Sequence, residues 1–280
     1  MTAALDLAPA DADTDVPGLL AASYRRLASL CEVLSVRVTY AGQPGASGPC
    51  LVEGQEHVEA FVDAEAARIQ DRHGHTAPRH VAASRALHDY AWSVGLLMGG
   101  IWYLERRVPR IAPEDVRLDL ASGTFEVTPG TRLACLPDDR AAALPGALPL
   151  AHEEALRGEL RQAVARHMGP VLDAIGPRAR RGSRALWGMV ADDLVSGIWH
   201  LGRVLGEEAA AVRAATDVLP SALGPFPGGA GFRHLRTADG REHPTRTRTG
   251  CCLYYTIRPG EACSTCPRTC DAERVRRLGG

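Results

Sequence analysis

PRHVAASRALHDYAWSVGLLMGGIWYLER, residues 78 to 106, is the longest periodic stretch in the chain. Apolar side chains return every three to four positions after Pro78, which predicts one long helix. Its most apolar part, Ala91 to Leu104, is too short to cross a bilayer and runs directly into Glu105, Arg106 and Arg107. A helix buried in a protein core satisfies both facts.

Working outward, helical spacing recurs at Leu19 to Leu34 and Val58 to Arg72, separated by the Gly- and Pro-rich loop Gly42 to Pro49. Downstream, Val116 to Leu120 and Thr124 to Thr128 alternate apolar with polar residues around Ala121, Ser122 and Gly123, the pattern of a hairpin, and Arg132 to Leu136 offers it a third strand. Helices resume over Glu153 to Ile175, Ser183 to Leu205 and Glu207 to Leu219, with breaks expected at Gly176-Pro177 and Gly206 and an N-cap at Ser183. Pro220 to Gly231 reads as a connector. Beyond it, Phe232 to Leu235 and Leu253 to Ile257 are the expected strands of a second hairpin turning at Asp239-Gly240, and Asp271 to Leu278 closes the chain as a short charged helix.

The fold class is therefore α+β and predominantly helical: a helical body, a central hairpin or small sheet, and a small Cys-rich C-terminal module. Three regions follow. Residues 1–18, an Ala-, Asp- and Pro-rich tail, carry too little apolar surface to order themselves; residues 19–222 form the body; residues 223–280 form the cysteine module.

Composition removes several functions. With 280 residues and 45% hydrophobic content the chain is long enough to bury a full core, and its near-balanced formal net charge of -1 argues against nucleic acid as the main partner, since strong phosphate binding normally needs a clearly basic face or domain. Every positive side chain other than His is Arg. No G-x-G-x-x-G follows a strand, and the run Gly228-Gly229-Ala230-Gly231 has neither the spacing nor the helix of a phosphate loop. No Ser, His and Asp arrangement marks a nucleophile, and the acidic pair Asp192-Asp193 is expected to face solvent and a neighbouring Arg. Tyr90, Trp92, Trp102, Tyr103, Trp187 and Trp199 lie at helical spacing among Leu, Val and Met, where core packing is expected before ligand contact.

The chemistry concentrates near the C-terminus. Cys251 and Cys252 are adjacent, and Cys263 and Cys266 follow as a Cys-Ser-Thr-Cys turn. Thiolates select zinc, copper(I) or iron–sulfur clusters, and four from one short segment satisfy a metal centre alone. Structural zinc usually takes two spaced pairs, whereas adjacent cysteines point apart in an extended chain and suit a cluster with more than one metal. Spacing alone leaves zinc and iron–sulfur level. A disulfide framework needs an oxidising compartment, and Met1 to Gly18 has no basic start followed by an apolar run. Cys31, Cys50 and Cys135 are scattered among apolar residues and read as buried thiols, while His234 and His243 match no familiar ligand spacing.

The pattern C-C-x10-C-x2-C, with Tyr255 three residues after the second Cys and Pro259 soon after, resembles the C-terminal signature of the FhuF-like ferric siderophore reductases. Weaker resemblance runs through Leu87 to Leu104, Leu186 to Val190 and Phe232 to Gly250. It implies a [2Fe-2S] cluster held by Cys251, Cys252, Cys263 and Cys266, with the body binding the siderophore. It implies one-electron reduction of a ferric siderophore in the cytoplasm, with electrons from an external donor such as a ferredoxin or ferredoxin reductase. Nucleic acid and a transmembrane segment are not expected; peripheral membrane contact stays open. Two departures stand out: Gly250 occupies a place where the family often has a small hydroxyl residue, and Cys270 is an extra thiol, read as a spare cysteine opening the last helix.

Arg233, Arg236, Arg241, Arg246 and Arg248 precede the cysteines. Cations there would stabilise an anionic cluster and raise its potential, or dock an acidic donor or anionic chelate; the plain alternative is a solvated loop. An iron–sulfur electron-transfer or sensing protein, or a zinc-stapled binding protein, are the competing readings of the same thiols.

Overall fold

Two helices that touch backbone to backbone organise the body. In the computed structural model, which describes residues 15–40 and 48–278, the long apolar stretch is α3 (Arg79–Gly95), a π-helical turn (Leu96–Gly100) and α4 (Ile101–Glu105), ended by Arg106 in the left-handed region at φ 55°. Its partner is α6 (Ser183–Val204), which packs along α3 and the π turn. A Cβ on Gly95 would lie 3.1 Å from the Leu194 Cα, so the absence of a side chain there permits the close approach. Leu96, Leu97, Met98, Ile101 and Trp102 are at most 1% exposed, as the apolar periodicity requires.

The remaining helices surround this pair. α1 (Val16–Leu30) is N-capped by Asp15, whose carboxylate accepts from the Gly18 N–H at 2.7 Å. It starts earlier than expected, so 16–18 are helical, while most of the proposed tail and most of the Gly42 to Pro49 loop lie outside the described residues. α2 (Gln55–His73) packs on α3, α5 (Glu153–Ala179) packs on α3 and α6, and α7 (Glu208–Val218) lies against α6.

Gly176-Pro177 does not stop α5, contrary to the sequence expectation. Proline removes one N–H and strains one turn, but Ile175, Gly176 and Ala179 are buried. A Cβ on Gly176 would meet Leu186 at 3.1 Å, so packing against the start of α6 pins the final turn. The N-cap of α6 is Gly182 and not Ser183, which forms the first turn.

The hairpin forms as expected from β3 (Val116–Asp119) and β4 (Thr124–Val127), antiparallel with Leu118 opposite Phe125. Its third strand is β1 (Val36–Val38), parallel to β4, and not the segment after Arg132. That segment, β5 (Leu133–Cys135), joins a separate sheet between β2 (Val108–Pro109) and β6 (Ala147–Pro149). In the C-terminal region, β7 (Phe232–Arg236) pairs with β8 (Glu242–Arg246), and not with Leu253 to Ile257, where a 3-10 turn stands instead. Pro244 disguised β8; a two-stranded ribbon tolerates proline because its outer N–H positions face no ladder. α8 (Asp271–Leu278) forms as expected.

Candidate metal centre

All four predicted thiols line one cavity, which they share with Arg248, Gly250, Tyr254, Tyr255 and Pro267. The adjacent pair does not continue as an extended chain. Leu253 turns left-handed at φ 63°, an arrangement costing about 1–2 kcal/mol for a side chain of this kind, and the Thr256 N–H and hydroxyl both donate to its carbonyl at 2.9 and 2.8 Å. The turn carries the chain on to Tyr254 and Tyr255, which line the same cavity as Cys251 and Cys252. The second pair sits on a turn: the Cys266 N–H donates to the Cys263 carbonyl at 3.0 Å, and the Thr265 hydroxyl lies 3.9 Å from the Cys263 sulfur.

The segment is clamped to the body by a buried acid pair. Asp192 and Asp193, on α6, are 1% and 0% exposed, which corrects the expectation that they face solvent. The Gly250 N–H donates to Asp192 Oδ2 at 2.6 Å, so the residue before the cysteine pair is fixed to the helix. A Cβ on Gly250 would lie 2.8 Å from the Met189 backbone nitrogen, so a family hydroxyl residue would not fit this backbone unshifted.

Arginines complete the clamp. Arg246 is 1% exposed and donates to the Asp192 carboxylate, to the Asp192 carbonyl at 2.8 Å, to Ser196 at 3.1 Å and to the Ala230 carbonyl at 2.9 Å. Arg248 donates to Asp193 Oδ1 at 2.6 Å, and His88 Nδ1 meets the same oxygen at 2.8 Å. Arg274, from α8, is buried and reaches the carbonyls of Cys266 at 2.9 Å, Thr269 at 3.1 Å and Arg246 at 3.1 Å. Arg181 donates to the Cys251 carbonyl. The solvated-loop alternative therefore falls for Arg246 and Arg248. Arg233, Arg236 and Arg241 are at the surface, paired with Asp271, Glu242 and Asp239.

Two of the four thiols are shifted in opposite directions: burial pushes Cys263 up, while Cys252 is pulled down. Burial works against its thiolate, yet His88, Arg85 and Arg248 together with the Tyr254 N–H outweigh that, and it ionises below its ordinary range. Such a thiol is prepared to bind a metal. Among the described residues no three Cys, His, Asp or Glu side chains stand close enough to hold one metal ion; the four sulfurs line one cavity, and four thiolates are the ligand number of a two-iron cluster. Tyr255 lines the cavity too, under the Arg268 guanidinium at 4.1 Å. Cys270 is exposed, outside the cavity lining, and its carbonyl accepts the Arg274 N–H at the start of α8. Cys31, Cys50 and Cys135 are buried, as expected.

Sequence reasoning missed Asp192, Asp193, Arg85, His88, Arg181 and Arg274. One signal was available: two adjacent acids inside the apolar run Val190 to Val195, where isolated charges are not tolerated without partners.

A cysteine-lined metal centre mounted on a helical body is the class that fold and site define. Residues 248–268 match the family model described as the FhuF 2Fe-2S C-terminal domain, so the cofactor is a [2Fe-2S] cluster. No curated protein matches the chain.

Proposed function

We propose that the chain is a [2Fe-2S] ferric siderophore reductase acting in the cytoplasm. The observation that carries this reading is the convergence of Cys251, Cys252, Cys263 and Cys266 on one cavity inside the segment that matches the cluster domain. These four thiols would hold the cluster, which when bound takes up and passes on one electron at a time.

The residues around them do electrostatic and positional work. Arg248 and Arg85 place positive charge beside Cys252; Asp193 fixes where Arg248 stands and Asp89 pairs with Arg85. The overall reaction balances simply: one electron from an external carrier of the ferredoxin type reduces chelated Fe(III) to Fe(II), and no bond to the protein forms or breaks. Hard oxygen donors hold Fe(II) less tightly than Fe(III), so reduction releases the metal. No general base is required, which agrees with a site built from thiols and guanidinium groups.

The test is anaerobic purification, a visible spectrum, and iron, acid-labile sulfide and zinc quantification, followed by titration of the reduced protein with ferric siderophores. About two irons and two sulfides per chain, with colour bleached on reduction and restored stoichiometrically by the chelate, is the expected result. One zinc and no colour would remove the redox reading. A coloured protein that ferric chelates fail to reoxidise would leave an electron-transfer or sensing protein.

A further inference from the structure

A second, larger cleft opens beside the cysteine segment. Its volume is about 370 Å³, inside the range of about 300–1,000 Å³ typical of small-molecule sites. α2 and α3 form two sides and the β3–β4 turn a third; Tyr254 and Ile257, from the turn after the cysteine pair, close it. The floor is aromatic: Tyr90 meets Phe61 edge-on with ring centres 6.3 Å apart and Phe125 at 5.6 Å.

Two residues tie this cleft to the metal centre. Arg85 lines it, pairs with Asp89 at 3.0 Å and stands near enough to Cys252 for its charge to favour the thiolate, so one guanidinium acts on both the cleft and the thiol. Tyr254 lines both cavities, with its ring 5.4 Å from Arg85 and 5.9 Å from the His73 ring.

The charges in the cleft are unequally occupied. Arg68 is paired with Glu65 at 3.0 Å and Arg85 with Asp89, while the Asp119 carboxylate, on the β3–β4 turn, accepts from the Ser122 hydroxyl at 2.7 Å and keeps its negative charge on that side of the cleft. Arg72, exposed on the rim, has no hydrogen bond or ion pair among the described residues. Val33 stands on the same rim with 64% of its surface open, an apolar contact awaiting a partner. We propose that this cleft is the acceptor site, and that it takes an anionic metal(III) chelate with oxygen donors, seated on the aromatic floor with its charge towards Arg72. This rests on the reductase reading for its occupant, while the cleft itself is argued from geometry.

Binding is measured by calorimetry on the full chain with redox-inactive gallium(III) chelates: an anionic tris-catecholate and a cationic trihydroxamate. The tris-catecholate is expected to bind more tightly. Arg72→Glu is expected to weaken it about tenfold, and Val33→Trp, which narrows the rim, by a similar factor, each near 1.4 kcal/mol. Both positions are exposed, so the variants fold. Unchanged affinity in both variants, preference for the cationic chelate, or no binding of either to the wild-type chain overturns the proposal. Reoxidation of the reduced protein by ferric chelates separates the two readings. If gallium chelates bind as expected and ferric chelates do not reoxidise the protein, the reductase reading fails and the cleft stands. If both variants are reoxidised at the wild-type rate, the cleft falls and the reductase reading stands.

Discussion

The helical body and the C-terminal region are held together by different physics. In the body, Leu, Val, Ala and aromatic side chains from α1 to α7 form one continuous buried cluster. In residues 232–278 the buried apolar side chains are Cys252, Ile257 and Cys266, two of them thiols of the cavity. What is buried there instead is polar: Thr237, Thr245, Arg246, Arg248, Thr269 and Arg274. Burial of apolar area contributes about 25 cal/mol per Å², so a region with so little of it relies on ion pairs, arginine-to-carbonyl bonds and the metal. The body should tolerate loss of the metal; the C-terminal region should not.

Removing the metal is the strongest way to break that contrast. Ligands that bind a metal only when folded make binding part of the folding free energy. Iron chelation under reducing, anaerobic conditions is expected to open residues 232–278 to trypsin at Arg233, Arg236, Arg241 and Arg258, while the body stays resistant and most helical circular dichroism persists. Limited proteolysis read by mass spectrometry checks this. Equal resistance with and without metal would mean the ion pairs hold the region unaided.

Asp192→Ala comes next in size. It leaves Arg246 buried without its carboxylate and the Gly250 N–H without its acceptor. Losing one member of a buried ion pair costs about 3–5 kcal/mol. Urea unfolding should show the loss, and cluster content on purification should fall with it. Asp192→Asn, which keeps an acceptor for Gly250, is expected to lose less of both. Equal loss in the two variants would mean that the charge, and not the backbone anchor, is what matters.

The helices were legible in the sequence because their apolar period is local information; Pro78 to Arg106 needed no partner to be read. The cavity's thiols were legible for the same reason, since four cysteines in one short segment stand out without any partner. The three-residue strand at Val36 was not, because it exists only through pairing with Phe125 and its neighbours, far along the chain. The burial of Asp192 and Asp193 was hidden likewise: acids normally face water, and the arginines that reverse this lie on a distant segment. Gly176-Pro177 misled because a local break signal is weaker than the packing of the turn that contains it.

The body has one polar weak point of its own, which sharpens the comparison through pH. His167 is fully buried between the Tyr90 hydroxyl at 2.9 Å and the Ile111 carbonyl at 3.1 Å. Burial lowers its pKa to about 4, against an ordinary value of 6.5. The unfolded chain takes up a proton below pH 6.5 that the native body refuses until about pH 4. Stability is therefore fully present above the first value and lost as pH falls towards the second, by about 3 kcal/mol in total. His167→Gln should flatten the pH dependence of the urea midpoint between these limits. An unchanged slope would place the acid sensitivity in the C-terminal ion pairs.

The smallest expected effect separates two arginines that look alike in sequence. Arg248 lines the thiol cavity, whereas Arg246 does not and spends its donors on Asp192, Ser196 and Ala230. Reduction adds negative charge to the centre, so a neighbouring cation favours the reduced form and its removal lowers the midpoint potential. Arg248→Gln is expected to lower it by about 60 mV, the one-electron equivalent of a tenfold change. Gln can still donate to Asp193, but without the guanidinium's charge that carboxylate pushes the potential in the same direction. Arg246→Gln should cost stability and lower the potential by less, because neither Arg246 nor the Asp192 carboxylate it would leave without a cation lines the thiol cavity. Spectroelectrochemical titration of both variants decides it. Equal shifts in the two would mean that the region responds to its total charge, and that the division between a clamping arginine and a tuning arginine does not hold.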